Sequence, residues 1–212
     1  MKPLLVAAGV CVLALPAMAQ KRVDLFFDVE GVRRTGMTSG FTPGITRFEP
    51  QFQTGGGVGA GVNWFLSDRV SLETKVAGLG TKARLRVIGS DFVGTADLGW
   101  AQIYPISAVI QWHFLEHGFV RPYVGAGAVH TIMKNINRRL GAGATGIHFK
   151  DPTGAVVDAG LEFSLGKRWN LVADGRYVPI ETKTRTTFPG TTSTVNLSVR
   201  PAIVSFGLGY RF

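Results

Sequence analysis

The chain has 212 residues, a formal net charge of +9, 28 glycines and a single cysteine. Mean hydropathy is positive, yet beyond the first nineteen residues no run of about eighteen apolar residues occurs, which excludes a transmembrane helix. The length suits one domain, and a lone cysteine excludes a disulfide scaffold.

Met1 to Ala19 reads as an export signal. Lys2 is the positive end, Leu4 to Pro16 the apolar centre, and Ala17-Met18-Ala19 the small-x-small cleavage site. Cys11 lies inside this segment, too early for lipid attachment at the cleavage site. A domain over residues 20–212 then has no cysteine and enters an oxidising compartment without using disulfides.

The remainder alternates apolar and polar residues with a step of two, the period of a strand. Val23, Leu25, Phe27 and Val29 oppose Asp24, Phe26, Asp28, Glu30 and Val32. A loop from Arg33 to about Gln51 follows. Val58, Ala60, Val62 and Trp64 then oppose Gly57, Gly59, Gly61 and Asn63, before a tight turn at Ser67-Asp68-Arg69. Val70 to Gly78 sets Leu72 and Val76 against Ser71, Glu73 and Lys75. After a long connection from about Leu79 to Ala101, Tyr104 to Phe114 sets Ile106, Ile110 and Trp112 against Ser107, Val109, Gln111 and His113.

A short turn leads to Val120 to Thr131, where Val124 and Ala126 oppose Tyr123, Gly125 and Val129. A third long connection covers about Met133 to Pro152. Ala155 to Leu165 sets Val157, Leu161 and Phe163 against Val156, Asp158 and Glu162, and turns at Gly166-Lys167-Arg168. Trp169 to Ile180 sets Leu171, Ala173 and Tyr177 against Val172, Asp174, Arg176 and Val178. A fourth loop, from about Thr182 to Thr194, leads to Val199 to Phe212. There Ala202, Val204, Phe206, Leu208, Tyr210 and Phe212 oppose Pro201, Ile203, Ser205, Gly207, Gly209 and Arg211.

Eight strands joined by alternating long and short connections predict an all-β fold: an eight-stranded antiparallel up-and-down transmembrane barrel with short periplasmic turns and long extracellular loops. Both termini fall on the periplasmic side. Trp64, Trp112, Phe114, Phe163, Trp169, Tyr210 and Phe212 cluster outward beside the short turns as an interfacial girdle. A soluble barrel of the lipocalin kind would invert this pattern, burying the girdle.

Parity sends Asp24, Asp28, Glu30, Glu73, Asp158, Glu162 and Asp174 inward, with Lys75, Arg121, Arg176 and Arg211. Buried carboxylates require partners. Asp28, Glu30, Glu73, Lys75, Asp158, Glu162, Asp174 and Arg176 therefore form a candidate lumen charge network, either a rigidifying plug or a proton, ion or ligand path. The long connections carry much of the excess basic charge, which suits an outer leaflet whose lipopolysaccharide bears phosphates. Nucleic-acid binding does not fit an exported chain with dispersed basic residues. His113, His117, His130 and His148 lack metal-ligand spacing. His130 points outward, but the position two residues on, where a lipid A-cleaving barrel enzyme needs serine, is Ile132. Neither enzymatic activity nor a cofactor is expected.

Pro105 to Thr131 resembles the outer-membrane protein W family. Gln111-Trp112-His113-Phe114 and Arg121-Pro122-Tyr123-Val124-Gly125-Ala126-Gly127 match its central pattern. Val172 to Tyr177 and Gly207 to Phe212 are similar to its last two strands. The resemblance implies a narrow, partly hydrophobic passage for small apolar molecules across the outer membrane. It also implies assembly by the barrel-insertion machinery, which reads Tyr210 and Phe212 in the terminal strand. Phe26, Val32, Val129, Val156, Val178 and Ile203 are the apolar inward candidates for that passage. They suggest a hydrophobic vestibule above a charged plug, with lateral exit, since eight strands leave little bore. The alternative is a structural or adhesin-type surface barrel with a sealed lumen.

Overall fold

The computed structural model describes residues 22–33, 47–88, 93–133, 146–149, 151–188 and 191–212. The export signal expected at Met1 to Ala19 lies outside them. Twelve strands form among the described residues: β1 (Arg22–Arg33), β2 (Arg47–Phe52), β3 (Gly55–Phe65), β4 (Val70–Ile88), β5 (Val93–His113), β6 (Val120–Met133), β7 (Gly146–Phe149), β8 (Thr153–Ser164), β9 (Trp169–Tyr177), β10 (Ile180–Phe188), β11 (Thr191–Val199) and β12 (Ala202–Arg211).

Eight of them, β1, β3, β4, β5, β6, β8, β9 and β12, pair antiparallel in that order, and β12 returns to β1. The ring is closed, so no strand of it stands as a free edge of the sheet. The seam runs from Asp24↔Arg211 to Arg33↔Ala202, and the Phe212 N–H donates to the Val23 carbonyl at 2.9 Å.

The two faces divide as the alternation predicts. Phe27 is 69% exposed, Val58 65% and Phe206 61%, whereas Asp28, Glu73 and Asp158 are buried inside. A charge on the lipid side costs about 2–4 kcal/mol at mid-membrane, which selects this sidedness. Trp112, Phe114, Trp169 and Phe212 are exposed beside the short turns; Trp64, outward by parity, is buried. A second outward aromatic band, which the sequence reading did not separate out, contains Trp100, Tyr104 and Tyr177. Trp112 and Trp100 are roughly 30 Å apart along the axis, for about 3.3 Å per residue and a tilt of about 40°. That separation matches a hydrocarbon core.

Where connections were expected, strands continue. β4 and β5 pair on through Leu79↔Ile103 to Ile88↔Val93, with a bulge beside Ala83/Arg84. Gly99 takes φ 94° there, a conformation that favours glycine. The ladder skips from Val76↔Ile106 to Leu79↔Ile103, where Pro105 has no N–H to donate. β2 adds to the outer edge of β4. β7, β10 and β11 extend β8, β9 and β12 beyond the ring: β9–β12 ends at Tyr177↔Ala202 and β10–β11 begins at Ile180↔Val199. Pro179 and Pro201 interrupt it, and the Val178 N–H donates to the Pro201 carbonyl at 3.1 Å.

The β8–β9 seam has a wider gap. Pairing stops at Val157↔Tyr177 and resumes only as Phe149↔Thr184 between β7 and β10. No ladder pair joins Thr153–Val156 to the facing stretch from Val178 to Lys183 among the described residues.

An eight-stranded bore is just wide enough for side chains, so bulky inward residues face inward glycines. The Phe26 ring occupies the space a Cβ on Gly61 would need, and Tyr123 does so at Gly160. A methyl on Gly125 would overlap Asp158 and come within 2.8 Å of Val109 Cγ1. Gly125→Ala is therefore expected to destabilise the barrel by about 1–3 kcal/mol through overpacking. Urea unfolding in lipid, followed by tryptophan fluorescence, measures the loss, and Val109→Ala in the same chain should recover part of it.

Candidate functional site in the barrel lumen

From the short-turn end upward, inward residues form two charged levels and an apolar one. In the lowest, Arg22 forms two hydrogen bonds of 3.1 Å and one of 2.9 Å to Asp24, and its guanidinium lies 3.4 Å above the Phe65 ring centroid. Arg211 reaches Glu162 at 2.5 Å and Asp24 at 3.3 Å. Arg121 pairs with Glu162. Asn170 donates to Glu162 at 2.8 Å and to Asp24 at 3.2 Å. Three guanidinium groups thus surround two carboxylates at the mouth. Arg22 was absent from the sequence-derived inward set, which began that strand at Val23; extending the alternation by one residue finds it.

The middle level is acid-rich. Arg176 reaches Glu73 at 2.5 Å, Asp174 at 2.6 Å and Asp158 at 3.8 Å. Gln111 donates to Glu73 at 3.1 Å and Asp158 at 3.0 Å, and the Tyr123 hydroxyl donates to Asp174 at 3.1 Å. On the opposite wall Lys75 pairs with Asp28, and with Glu30 at 2.5 Å. Five carboxylates here meet two cations. Asp28 Oδ1, Glu30 Oε2 and Asp158 Oδ1 have no protein donor among the described residues. The space left between the two charged levels, among Asp24, Glu162, Asp28, Glu73, Asp174 and Arg176, is about 20 Å³, room for about one water. A solute cannot pass at this level without displacing charged groups.

Above it Leu79, Val109, Val129, Val156, Val178 and Ile203 pack together, with Val32 and Ile103 against them. Of the six residues nominated for a passage, Val32, Val129, Val156, Val178 and Ile203 meet here. Phe26 does not. Asp28 and Glu30 separate it from Val32 along β1, and its ring stands at the charged level, 5.9 Å from Lys75 Nζ. Leu79 was assigned to a connection, Ile103 fell between that connection and the strand begun at Tyr104, and Val109 was inward but not nominated.

The eight-residue charge set is likewise divided. Asp28, Glu30 and Lys75 form one group; Glu73, Asp158, Asp174 and Arg176 form a second; Glu162 belongs to the arginine-rich mouth. Tyr210 and Phe212 lie outside, their ring centroids 5.0 Å apart, with Trp169 5.0 Å from Tyr210. Arg168 donates to the Tyr210 hydroxyl at 2.9 Å. A wider concavity of about 1120 Å³ follows the outer wall past Phe27, Val58 and Phe206 and belongs to the lipid-facing surface.

Strand register also creates contacts that linear spacing hides. Ser71 Oγ and His113 Nε2 meet at 2.9 Å between β4 and β5. Both are buried, and His113 Nδ1 has no protein partner among the described residues, so the pair lacks the orienting acid of a hydrolytic triad. His130 is exposed on the outer wall, with Nδ1 2.9 Å from Thr153 Oγ1. Among the described residues no set of three His, Cys, Asp or Glu side chains is arranged to hold a metal.

Removing one partner from a buried ion pair leaves an uncompensated charge, at about 3–5 kcal/mol. Arg176→Met, which strands Glu73, Asp158 and Asp174, should lower stability by that order. Arg69→Met should cost under about 1 kcal/mol, because its 2.8 Å pair with Glu116 is exposed. Urea titration of both variants in the same bilayer checks the contrast.

Residues 43–212 match the OmpW family model. The outer membrane protein W of Salmonella typhimurium is 29% identical over 123 residues, 56% of this chain and 58% of that protein. The outer membrane protein AlkL of Ectopseudomonas oleovorans is 25% identical over 152 residues, 71% of this chain and 64% of that protein. The chain therefore spans less than two thirds of the length of these curated relatives. Among solved structures, the outer membrane protein OprG from Pseudomonas aeruginosa superposes with a TM-score of 0.76 at 17% identity, covering 90% of this chain and 95% of that one. AlkL in lipid bilayers gives 0.63 at 21%, covering 91% and 90%. These structural likenesses establish a shared fold, and the family match, across most of the sequence, establishes that this chain belongs to the OmpW family.

Proposed function

We propose that this barrel lets small hydrophobic molecules cross part of the outer membrane. They enter between the long loops, shed water against the apolar cluster, and leave sideways through the wall beside the outer aromatic band, at the lipid interface. The long-loop end faces the cell exterior, and the termini face the periplasm. The barrel works without a cofactor and without covalent chemistry. The barrel-insertion machinery places it by reading the terminal strand around Tyr210 and Phe212, and lipopolysaccharide surrounds its outer half.

One observation carries this reading. The longest unpaired stretch of the β8–β9 wall, from Thr153–Val156 to Val178–Lys183, lies beside the apolar cluster. Val156 and Val178 are members of that cluster and stand on the two lips. Below the cluster, the two charged levels leave space for about one water between them. An apolar solute gains nothing by crossing charged groups, whereas parting two strands with no ladder bonds breaks no backbone pair. Pro152 borders the gap and Pro179 lies within it, and neither supplies an N–H to close it.

The test uses thiol chemistry. Cys11 falls within the expected export signal, so introduced thiols would be the only ones in the mature chain. Ala155→Cys with Pro179→Cys, bridged by a short bifunctional reagent, should reduce uptake of a labelled alkane several-fold in cells. The same reagent on either single variant should leave uptake unchanged. Undiminished uptake through the bridged wall would overturn the lateral route. No barrel-dependent uptake in the unmodified protein would favour a sealed structural or adhesin barrel.

A further inference from the structure

The outer face of the β4–β5 hairpin carries an arrangement that solute passage does not use. Outward residues there form a lane running toward the long-loop end. Val76 and Ile106 face each other, both exposed. Next, the Tyr104 ring lies against Gly78, where a methyl would sit 3.6 Å away. The Trp100 ring lies against Gly80 at 3.5 Å. Lys82 is the cross-strand partner of Trp100, and its ammonium is 5.8 Å from the ring centroid. One step further, Arg84 is engaged by Asp97 at 2.6 Å.

The lane therefore runs from aliphatic side chains, through two rings seated on glycines, to a cation. Lys82 is exposed and pairs with no carboxylate among the described residues. Trp100 is 66% exposed and stands in the outer aromatic band. This sequence of surfaces complements an amphiphile with an acyl tail and an anionic head. An aromatic ring prefers the boundary between hydrocarbon and headgroups, and a lysine just beyond it meets phosphate.

We infer that Lys82, Trp100 and Tyr104 form a site for one outer-leaflet glycolipid of the lipid A type. Lys82 would hold a phosphate, and the two rings and the Val76–Ile106 step would hold an acyl chain. The inference rests on the proposed orientation, with the long loops outside, and is independent of the solute route. Gly78 and Gly80 let the two rings lie flat along the strand, each at ordinary van der Waals distance from where a methyl would stand. Asp97 matters because it engages Arg84, the next outward cation along β4 after Lys82.

Native mass spectrometry of the full-length protein in detergent tests the site, with bis-phosphorylated lipid A and its dephosphorylated counterpart as probes. The expected result is one retained bis-phosphorylated lipid and weak retention of the phosphate-free form. Lys82→Gln should lower retention roughly fivefold, the effect of about one surface lysine, and Trp100→Ala should lower it independently. Lys167→Gln on a short turn controls for general surface charge, and heat-modifiable migration on gels confirms that each variant is folded. Alkane uptake should be unchanged in Lys82→Gln, separating failure here from failure of the solute route. Equal retention of both lipids, retention unaffected by Lys82→Gln and Trp100→Ala, or an equal loss in Lys167→Gln would each overturn the site.

Discussion

Hydrocarbon offers no hydrogen bonds, and the remaining structure follows from that deficit. Each backbone amide in the wall must find its partner in the wall, so the sheet closes on itself. Ionised side chains must point away from lipid, so the chain alternates. Asp24, Asp28 and Glu30 lie on one face of β1, with Leu25, Phe27 and Val29 on the other. A one-residue slip would place those carboxylates in acyl chains. The same solvent that stabilises the apolar face therefore fixes the register of every strand.

Sheltering charge within a narrow bore creates a second constraint. The lumen must be filled, and its charges must be paired. Inward glycines on β3 and β6 make room for Phe26, Lys75 and Asp158. The resulting packing divides the interior into an arginine-rich mouth, an acid-rich middle and an apolar top. Such a filling leaves little free space between the charged levels. Beside the apolar top the ladder is interrupted between β8 and β9.

Much of this could be read from residue order. Strand number, sidedness and the inward carboxylates follow from a period of two, because burial against lipid is a strong and local signal. Strand ends were harder. Leu79 to Ala101 contains lysine, arginines and glycines, so it resembles a loop, yet it belongs to a hairpin that continues past the hydrocarbon, where polarity no longer reports sidedness. Leu79 was missed as a member of the apolar cluster for that reason, Ile103 because its strand was started after it, at Tyr104, and Arg22 because its strand was started one residue late. Phe26 was misplaced because parity gives the face but not the height. Contacts such as Ser71 with His113, or Arg22 with Phe65, require register and closure, which no single strand specifies.

The central claim is that lipid touches the apolar faces while the ionised faces are enclosed. Solid-state NMR of the protein in bilayers, with magnetisation transferred from acyl-chain protons, tests it residue by residue. Transfer should reach Phe27, Val58, Leu161 and Phe206 and should be absent at Glu73, Asp158 and Arg176. Strong transfer from acyl chains to Glu73 or Asp158, with Phe206 and Leu161 silent, would contradict the account.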